Sequence, residues 1–167
     1  TAGTDIVTAC DSFTWIDGNT YTNSTNNFAP TTHTISTGNF YYTPNALTIN
    51  AGDTVIWINN GGFHNVNFGI SSISGLSFNN PLSFVTTPTS STNMATYVFD
   101  VPGTYSYDCS VGFHAANGMV ASLTVLPPPP TYTLTNAAGC DSIVTLDLTI
   151  NNSSFSIDSV TACDSFT

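Results

Sequence analysis

The chain has 167 residues, with neither lysine nor arginine, and ten acidic side chains give a formal charge of −10 at pH 7. Such a surface cannot neutralise phosphates or be drawn to anionic lipid, which sets aside nucleic-acid binding and electrostatic attachment to a membrane. No apolar run reaches the ~18 residues of a membrane span and no cationic-then-apolar leader is present, so the start at Thr1 reads as that of a processed or excerpted chain.

Richness in Phe, Tyr, Val, Ile and Thr argues for order despite the scarcity of charge. In chain order, alternation begins at Leu47 and Ile49, turns at Ala51-Gly52-Asp53 and resumes at Val55 and Trp57. A glycine pair then precedes His64 in "NNGGFHNVNF". Tyr97 and Phe99 alternate up to Pro102-Gly103, and Tyr105 and Tyr107 follow. A loop carrying Cys109, His114 and Met119 comes next, longer than a tight reversal needs. Ala121, Leu123 and Val125 then read as a strand again. The four prolines of "LPPPP" (126–130) cannot join a ladder and predict a stiff extended connector. Alternation returns in "TYTLTN" (131–136) and at Val144, Leu146, Leu148 and Ile150. No helix of any length is predicted, and the many short strands point to an all-β sandwich or barrel.

The octapeptide "VTACDSFT" occupies 7–14 and recurs unchanged at 160–167, a spacing of 153 residues, with a weaker echo, "GCDSIVT", at 139–145. A repeat of domain size points to a unit excerpted from a tandem array. The alternative is a pair of local hairpin modules flanking one domain.

His64, Cys109, His114 and Met119 form a possible ligand set. Taken singly, a histidine near apolar residues is usually structural, a methionine usually core, and a cysteine usually half a disulfide. The joint pattern C-x4-H-x4-M at a strand–loop–strand junction, with a histidine upstream after two glycines, favours a metal. Two imidazoles, a thiolate and a weak axial thioether suit copper in both Cu(I) and Cu(II), whereas zinc prefers four strong N, S or O ligands. His33 lies outside this constellation and is assigned no role.

Residues 31–126, through "AGDTVIWINNGGFHNV" and "GTYSYDCSVGFHAANGMVASLTV", resemble a cupredoxin of the plastocyanin/azurin family. The resemblance implies a Greek-key β-sandwich, with His64, Cys109 and His114 as equatorial ligands, Met119 as axial ligand, and Asn65 bracing the ligand loop. The loop spacing departs from the shorter C-x2-H-x4-M of plastocyanins and is similar to the longer azurin and rusticyanin type, so potential and redox partner do not carry over. The flanks, "TACDSFTWIDGNTYT" and "TYTLTNAAGCDSIVTLDLTI", resemble two halves of a Cys-containing repeat of large secreted proteins of Bacteroidetes-type bacteria. This second resemblance implies a small β module stapled by a Cys10–Cys140 disulfide, with Cys140–Cys163 as the rival pairing and Cys163 standing at the Cys10 position of a following copy. The expected organisation is therefore 1–30 as the first half of the module, 31–126 as the copper domain, 127–159 as connector and second half, and 160–167 as the start of a further copy.

The functional expectation is a non-enzymatic extracellular protein, secreted to a cell surface or filament, that transfers single electrons through copper. Its partners would be neighbouring copies of the same repeat and a redox protein docking on an apolar patch of Phe63, Phe113, Ala115 and Ala116. The competing expectation is a structural fibre or adhesin in which copper stabilises each bead. In a single file of such units, successive coppers on the order of 30 to 40 Å apart would make a poor wire.

Overall fold

A computed structural model describes residues 2–25, 29–135 and 141–154. Its strands, in chain order, are β1 (Ala2–Cys10), β2 (Phe13–Thr14), β3 (Thr20–Tyr21), β4 (Thr32–Gly38), β5 (Tyr41–Thr43), β6 (Ala46–Asn50), β7 (Asp53–Asn59), β8 (Asn93–Phe99), β9 (Gly103–Asp108), β10 (Val120–Leu126), β11 (Thr131–Thr135) and β12 (Asp141–Asn151). Among the described residues the helical content is one 3₁₀ turn, Ala115–Asn117. The chain divides into two compact units, Phe28–Pro128 and Thr1–Asn27 with Pro129–Thr167.

The Phe28–Pro128 unit is a sandwich of two sheets, ordered β5-β4-β7-β8 and β6-β10-β9. Strand β7 shows how sequence makes the layer: Val55 and Trp57 point inward and are fully buried, while Thr54, Ile56 and Ile58 face outward and are half-buried. The same period buries Tyr105, Tyr107, Leu123 and Val125 from the opposite sheet. Aromatic rings fill the space between. Phe68 stacks on Tyr107 at 4.6 Å and on Phe84 at 4.6 Å, and Trp57 stands edge-on to Tyr107 at 5.9 Å.

Two inward polar residues sit at the ends of β7, where burial demands partners. Asp53 accepts from the amides of Thr31 (2.7 Å) and Asn50 (3.0 Å) and from His33 Nε2 (2.8 Å). His33, assigned no role from its place in the sequence, thus closes the buried carboxylate's hydrogen-bond shell far in sequence from the metal-ligand pattern. At the other end Asn59 accepts from the Gly61 amide (2.9 Å) and donates to the Gly62 carbonyl (3.2 Å), shaping the turn that delivers His64.

The second unit holds the sheet β1-β12-β11 and the β2–β3 hairpin. Strands β1 and β12 run parallel over nine pairs, from Ala2 opposite Ile143 to Cys10 opposite Asn151. Trp15, Leu146 and Leu148 are its buried apolar residues, with Val7, Ala9, Phe13, Tyr21, Val144 and Ile150 packed around them. Of the two cysteines in the expected Cys10–Cys140 staple, Cys10 is exposed at the end of β1. It stands opposite Asn151 in the β1–β12 register. Cys140 and Cys163 themselves lie outside the described residues, as do residues 160–167.

Candidate metal centre

The site is assembled at one end of the sandwich from two segments. The β7 strand ends in a turn through Gly61 and Gly62, both at positive φ (134° and 98°). Gly62 must be glycine for a second reason, because a Cβ there would strike the His64 imidazole. The other segment is the β9–β10 loop, which leaves the sheet at Asp108 and returns at Val120. Its 3₁₀ turn lifts His114 back toward the cysteine, and Gly118, at φ 104°, ends that turn. The loop closes on itself through Cys109 N–H to the Met119 carbonyl (3.1 Å) and Met119 N–H to the His114 carbonyl (3.0 Å).

The consequence is convergence. His64, Cys109 and His114 bring one ligand atom each within 4.8 Å of one another. Nδ1 of His64 lies 3.1 Å from Nδ1 of His114, and Cys109 Sγ lies 3.4 Å from the same His114 nitrogen. His64 Nε2 donates to the Gly61 carbonyl at 3.1 Å, which fixes the tautomer and leaves Nδ1 with a free lone pair directed at the cluster. His64 is buried and His114 half-buried. Met119 is fully buried in the same core cluster as Cys109. Two imidazole nitrogens facing each other beside a thiol form a donor set that a cation can bridge, and its soft sulfur and nitrogen content fits copper.

Electrostatics point the same way. Burial holds the His64 imidazole below the usual histidine range, assisted by the neighbouring His114 and opposed by the Gly61 carbonyl. A neutral imidazole is the form that ligates. Burial likewise pushes the Cys109 thiol up, against the amides of Asn65 and Val111 that favour the thiolate. A metal replacing that proton would recover the thiolate in a dry setting.

Asn65 occupies the bracing position expected of it. Its Oδ1 accepts from the Ser110 amide (2.8 Å), and its Nδ2 donates to Ser110 Oγ (2.9 Å) and to the Thr86 carbonyl (3.1 Å). Tyr42 adds a hydroxyl donated to the Asn65 carbonyl at 2.5 Å. These bonds tie the segment after His64 to the segment after Cys109.

A second tie escaped the sequence reading. Asn67 and Asp108 exchange backbone hydrogen bonds (2.9 and 3.1 Å). The fully buried Asp108 carboxylate accepts from Asn67 Nδ2 (2.7 Å), Ser72 N–H (2.6 Å) and Ser72 Oγ (3.0 Å). It offers no donor in return, and no lysine or arginine exists to neutralise it. The position directly before Cys109 was the available signal. Strand alternation, however, places Asp108 outward, and only the segment carrying Ser72 covers it.

Of the residues expected to form a docking patch, three are exposed. Phe113 is 80% exposed and Phe63 53% exposed, and Ala116 is also exposed. Ala115, at 3% exposure, is removed from the patch: the 3₁₀ turn points it inward. Phe40, which the sequence did not single out, stands edge-on to His114 at 5.2 Å on the turn between β4 and β5.

Over residues 29–126 the chain matches the family of copper binding proteins described as plastocyanin/azurin. It is 35% identical over 92 residues to a plastocyanin of Scenedesmus fuscus, spanning 53% of this chain and 89% of that protein. Among solved structures it is similar to a reduced amicyanin variant at 26% identity, over 55% of this chain and 79% of that one, with a TM-score of 0.40. Another reduced amicyanin variant aligns at 20% identity over 62% and 91%, with a TM-score of 0.43.

Proposed function

Because the chain belongs to the copper-binding plastocyanin/azurin family, we propose that it is an extracellular one-electron carrier whose copper domain is borne on a repeated β module. His64, Cys109 and His114 would hold copper through Nδ1, Sγ and Nδ1, with the buried Met119 thioether as a weaker fourth ligand. The bound ion supplies a one-electron couple between Cu(I) and Cu(II). The residues do the rest. Asn65 and Ser110 keep the two ligand segments at fixed separation, Gly61 holds the His64 ring, and the buried core excludes water from the cysteine.

The observation that carries this reading is the convergence of two imidazole nitrogens and one thiol on a point beside a half-buried histidine, with exposed Phe40 edge-on to it and exposed Phe113 and Phe63 each next in sequence to a ligand histidine. A carrier needs a ligand edge near solvent for electron exit and an apolar rim for brief docking. A bead using metal only as a staple needs neither. The reading assigns the chain no bond-making chemistry. The absence of lysine and arginine fits exposure to extracellular proteases, and the recurrence of "VTACDSFT" supports serial repetition.

The test is to load the purified chain with Cu(II), record its visible spectrum and titrate it against redox mediators, following His64 and His114 by NMR in the metal-free and Cu(I) forms. An intense thiolate-to-copper band that bleaches reversibly on one-electron reduction is expected, with both ring signals moving on Cu(I) binding. A colourless complex, or one that does not cycle, would refute the carrier reading.

A further inference from the structure

The octapeptide at 160–167 is one of the sequence features the copper site does not use. We infer that residues 155–167 form the first strand of a second copy of the flanking unit, pairing in parallel beside that copy's β12, so that copies are joined by a shared strand. This rests on the reading of the chain as a repeated unit and adds the partner surface and the mode of joining.

The slot that such a strand would fill is visible because β1 fills it here. Val7, Ala9 and Phe13 pack on the Trp15, Leu146 and Leu148 cluster. Asp5 accepts the Trp15 indole N–H at 2.8 Å. Asp11 donates its amide to the Asn151 carbonyl at 3.1 Å, and its carboxylate receives the Ser153 amide (2.6 Å) and the Ser153 hydroxyl. Each of these side chains recurs at the same spacing in the tail, as Asp158, Val160, Ala162, Asp164 and Phe166. The match at Asp158 lies outside the octapeptide, and there the outward-facing neighbours differ: Ile6, 77% exposed, corresponds to Ser159, and exposed Thr4 corresponds to Ile157. At that end of the strand, what is kept is what the slot requires.

Topology says whose slot it is. Strand β1 runs parallel to β12, and the tail follows β12 after residues 152–154 alone. To lie parallel beside its own β12, the tail would have to return about 30 Å to the start of that strand. Three residues span at most about 11 Å, and a parallel connection takes a dozen residues or more. The tail therefore fits the β1 position of another copy and not its own. Ala2 stands opposite Ile143, and the equivalent position, 155, comes twelve residues later. A chain that stays extended would set successive flanking units about 40 Å apart along the strand direction.

The experiment uses the full chain and changes which strand is usable. With Val7→Asn and Ala9→Pro the chain's own β1 is disabled, and the intact tail is the remaining strand for the slot. Light scattering should show head-to-tail oligomers of two or more chains with Trp15 protected from quencher. Adding Val160→Asn and Ala162→Pro should return it to monomer with Trp15 exposed. A β1-disabled chain that stays monomeric and is quenched as readily as the fourfold variant overturns the inference. A second arm does not depend on that variant folding. The unaltered chain, refolded at millimolar concentration, should yield exchanged dimers that the Val160→Asn/Ala162→Pro chain, with β1 intact, does not; equal masses overturn it. Native material with an axial repeat alongside negative results in both arms rejects the shared strand alone, whereas native material with no repeat rejects the repeat reading with it.

Discussion

The two units reach a folded state by different means. In Phe28–Pro128 a single cluster of fifteen buried side chains, from Ile35 to Val125, binds two sheets together. In the flanking unit three residues, Trp15, Leu146 and Leu148, are buried to that degree among those described. Apolar burial is worth roughly 25 cal/mol per Å², so the first unit has a reserve that lets it hold polar and metal-ligating groups in its interior. The second depends on long backbone pairing, nine register pairs between β1 and β12, and on a few polar latches such as Asp5 with Trp15. A protein without a lysine to guard its strand edges thus keeps its metal-ligating side chains in the unit with the deep core.

The largest test of this contrast removes the metal chemistry and leaves the core. Cys109→Ser should abolish the thiolate-to-copper absorption entirely, while circular dichroism and the thermal midpoint of the metal-free protein change little, since one buried sulfur among fifteen residues is replaced by a near-isostere. Unfolding of the sandwich would show that the site and the core are not separable as argued. Trp57→Ala attacks the other side of the contrast. Trp57 touches Phe68, Phe99 and Tyr107 at centroid distances of 5.9 to 6.3 Å, and truncation should cost about 3 to 5 kcal/mol. Trp15→Ala should instead melt the flanking unit and leave the blue colour intact. Differential scanning calorimetry separates the two, because each substitution should move a different transition.

The copper domain was legible because its signals are local. The ligand loop sits between two strands that alternate without interruption, and a glycine pair marks the turn before His64. Asn65 was reachable only through the family resemblance. The Ala115 error came from reading composition around His114 without the 3₁₀ turn, which rotates one alanine inward and the next outward. Phe40 was invisible because the β4–β5 turn carries it to His114 across 74 residues of sequence.

A smaller effect concerns acid. Burial of Asp53 by itself would raise its carboxyl, but the Thr31 and Asn50 amides, together with His33, overcome it and bring the value to about 2. The folded value lies below the ordinary 3.8, so this carboxylate stabilises the fold fully above about pH 4 and loses its contribution as pH falls toward 2, an effect of about 2 kcal/mol. Asp53→Asn should lower stability at pH 7 and flatten the acid limb of the metal-free sandwich between pH 4 and 2. An unchanged limb in urea unfolding would remove Asp53 as its source. The flanking unit, which lacks a comparable buried carboxylate among its described residues, should not share this step.

The smallest and most discriminating prediction concerns Asp108, where deep burial meets copper chemistry. Its carboxylate lies in the residue before Cys109, accepts three hydrogen bonds from Asn67 and Ser72, and has no lysine or arginine anywhere to offset it. A fixed negative charge in a poorly screened interior favours the more positive member of a nearby redox couple, so Asp108 should stabilise Cu(II) over Cu(I). Asp108→Asn removes that charge and keeps the volume. The Cu(I)/Cu(II) ratio at a fixed mediator potential should rise about tenfold, equivalent to about 59 mV for one electron. Asn67→Ala offers the control that separates charge from positioning. It deletes one donor and leaves the carboxylate in place, so it should loosen the tie between the His64 and Cys109 segments, seen as faster amide exchange at Ser72 and Cys109 in the metal-free protein, without raising the potential as Asp108→Asn does. Equal shifts from the two variants would mean that Asp108 acts by holding the segments and not by its charge.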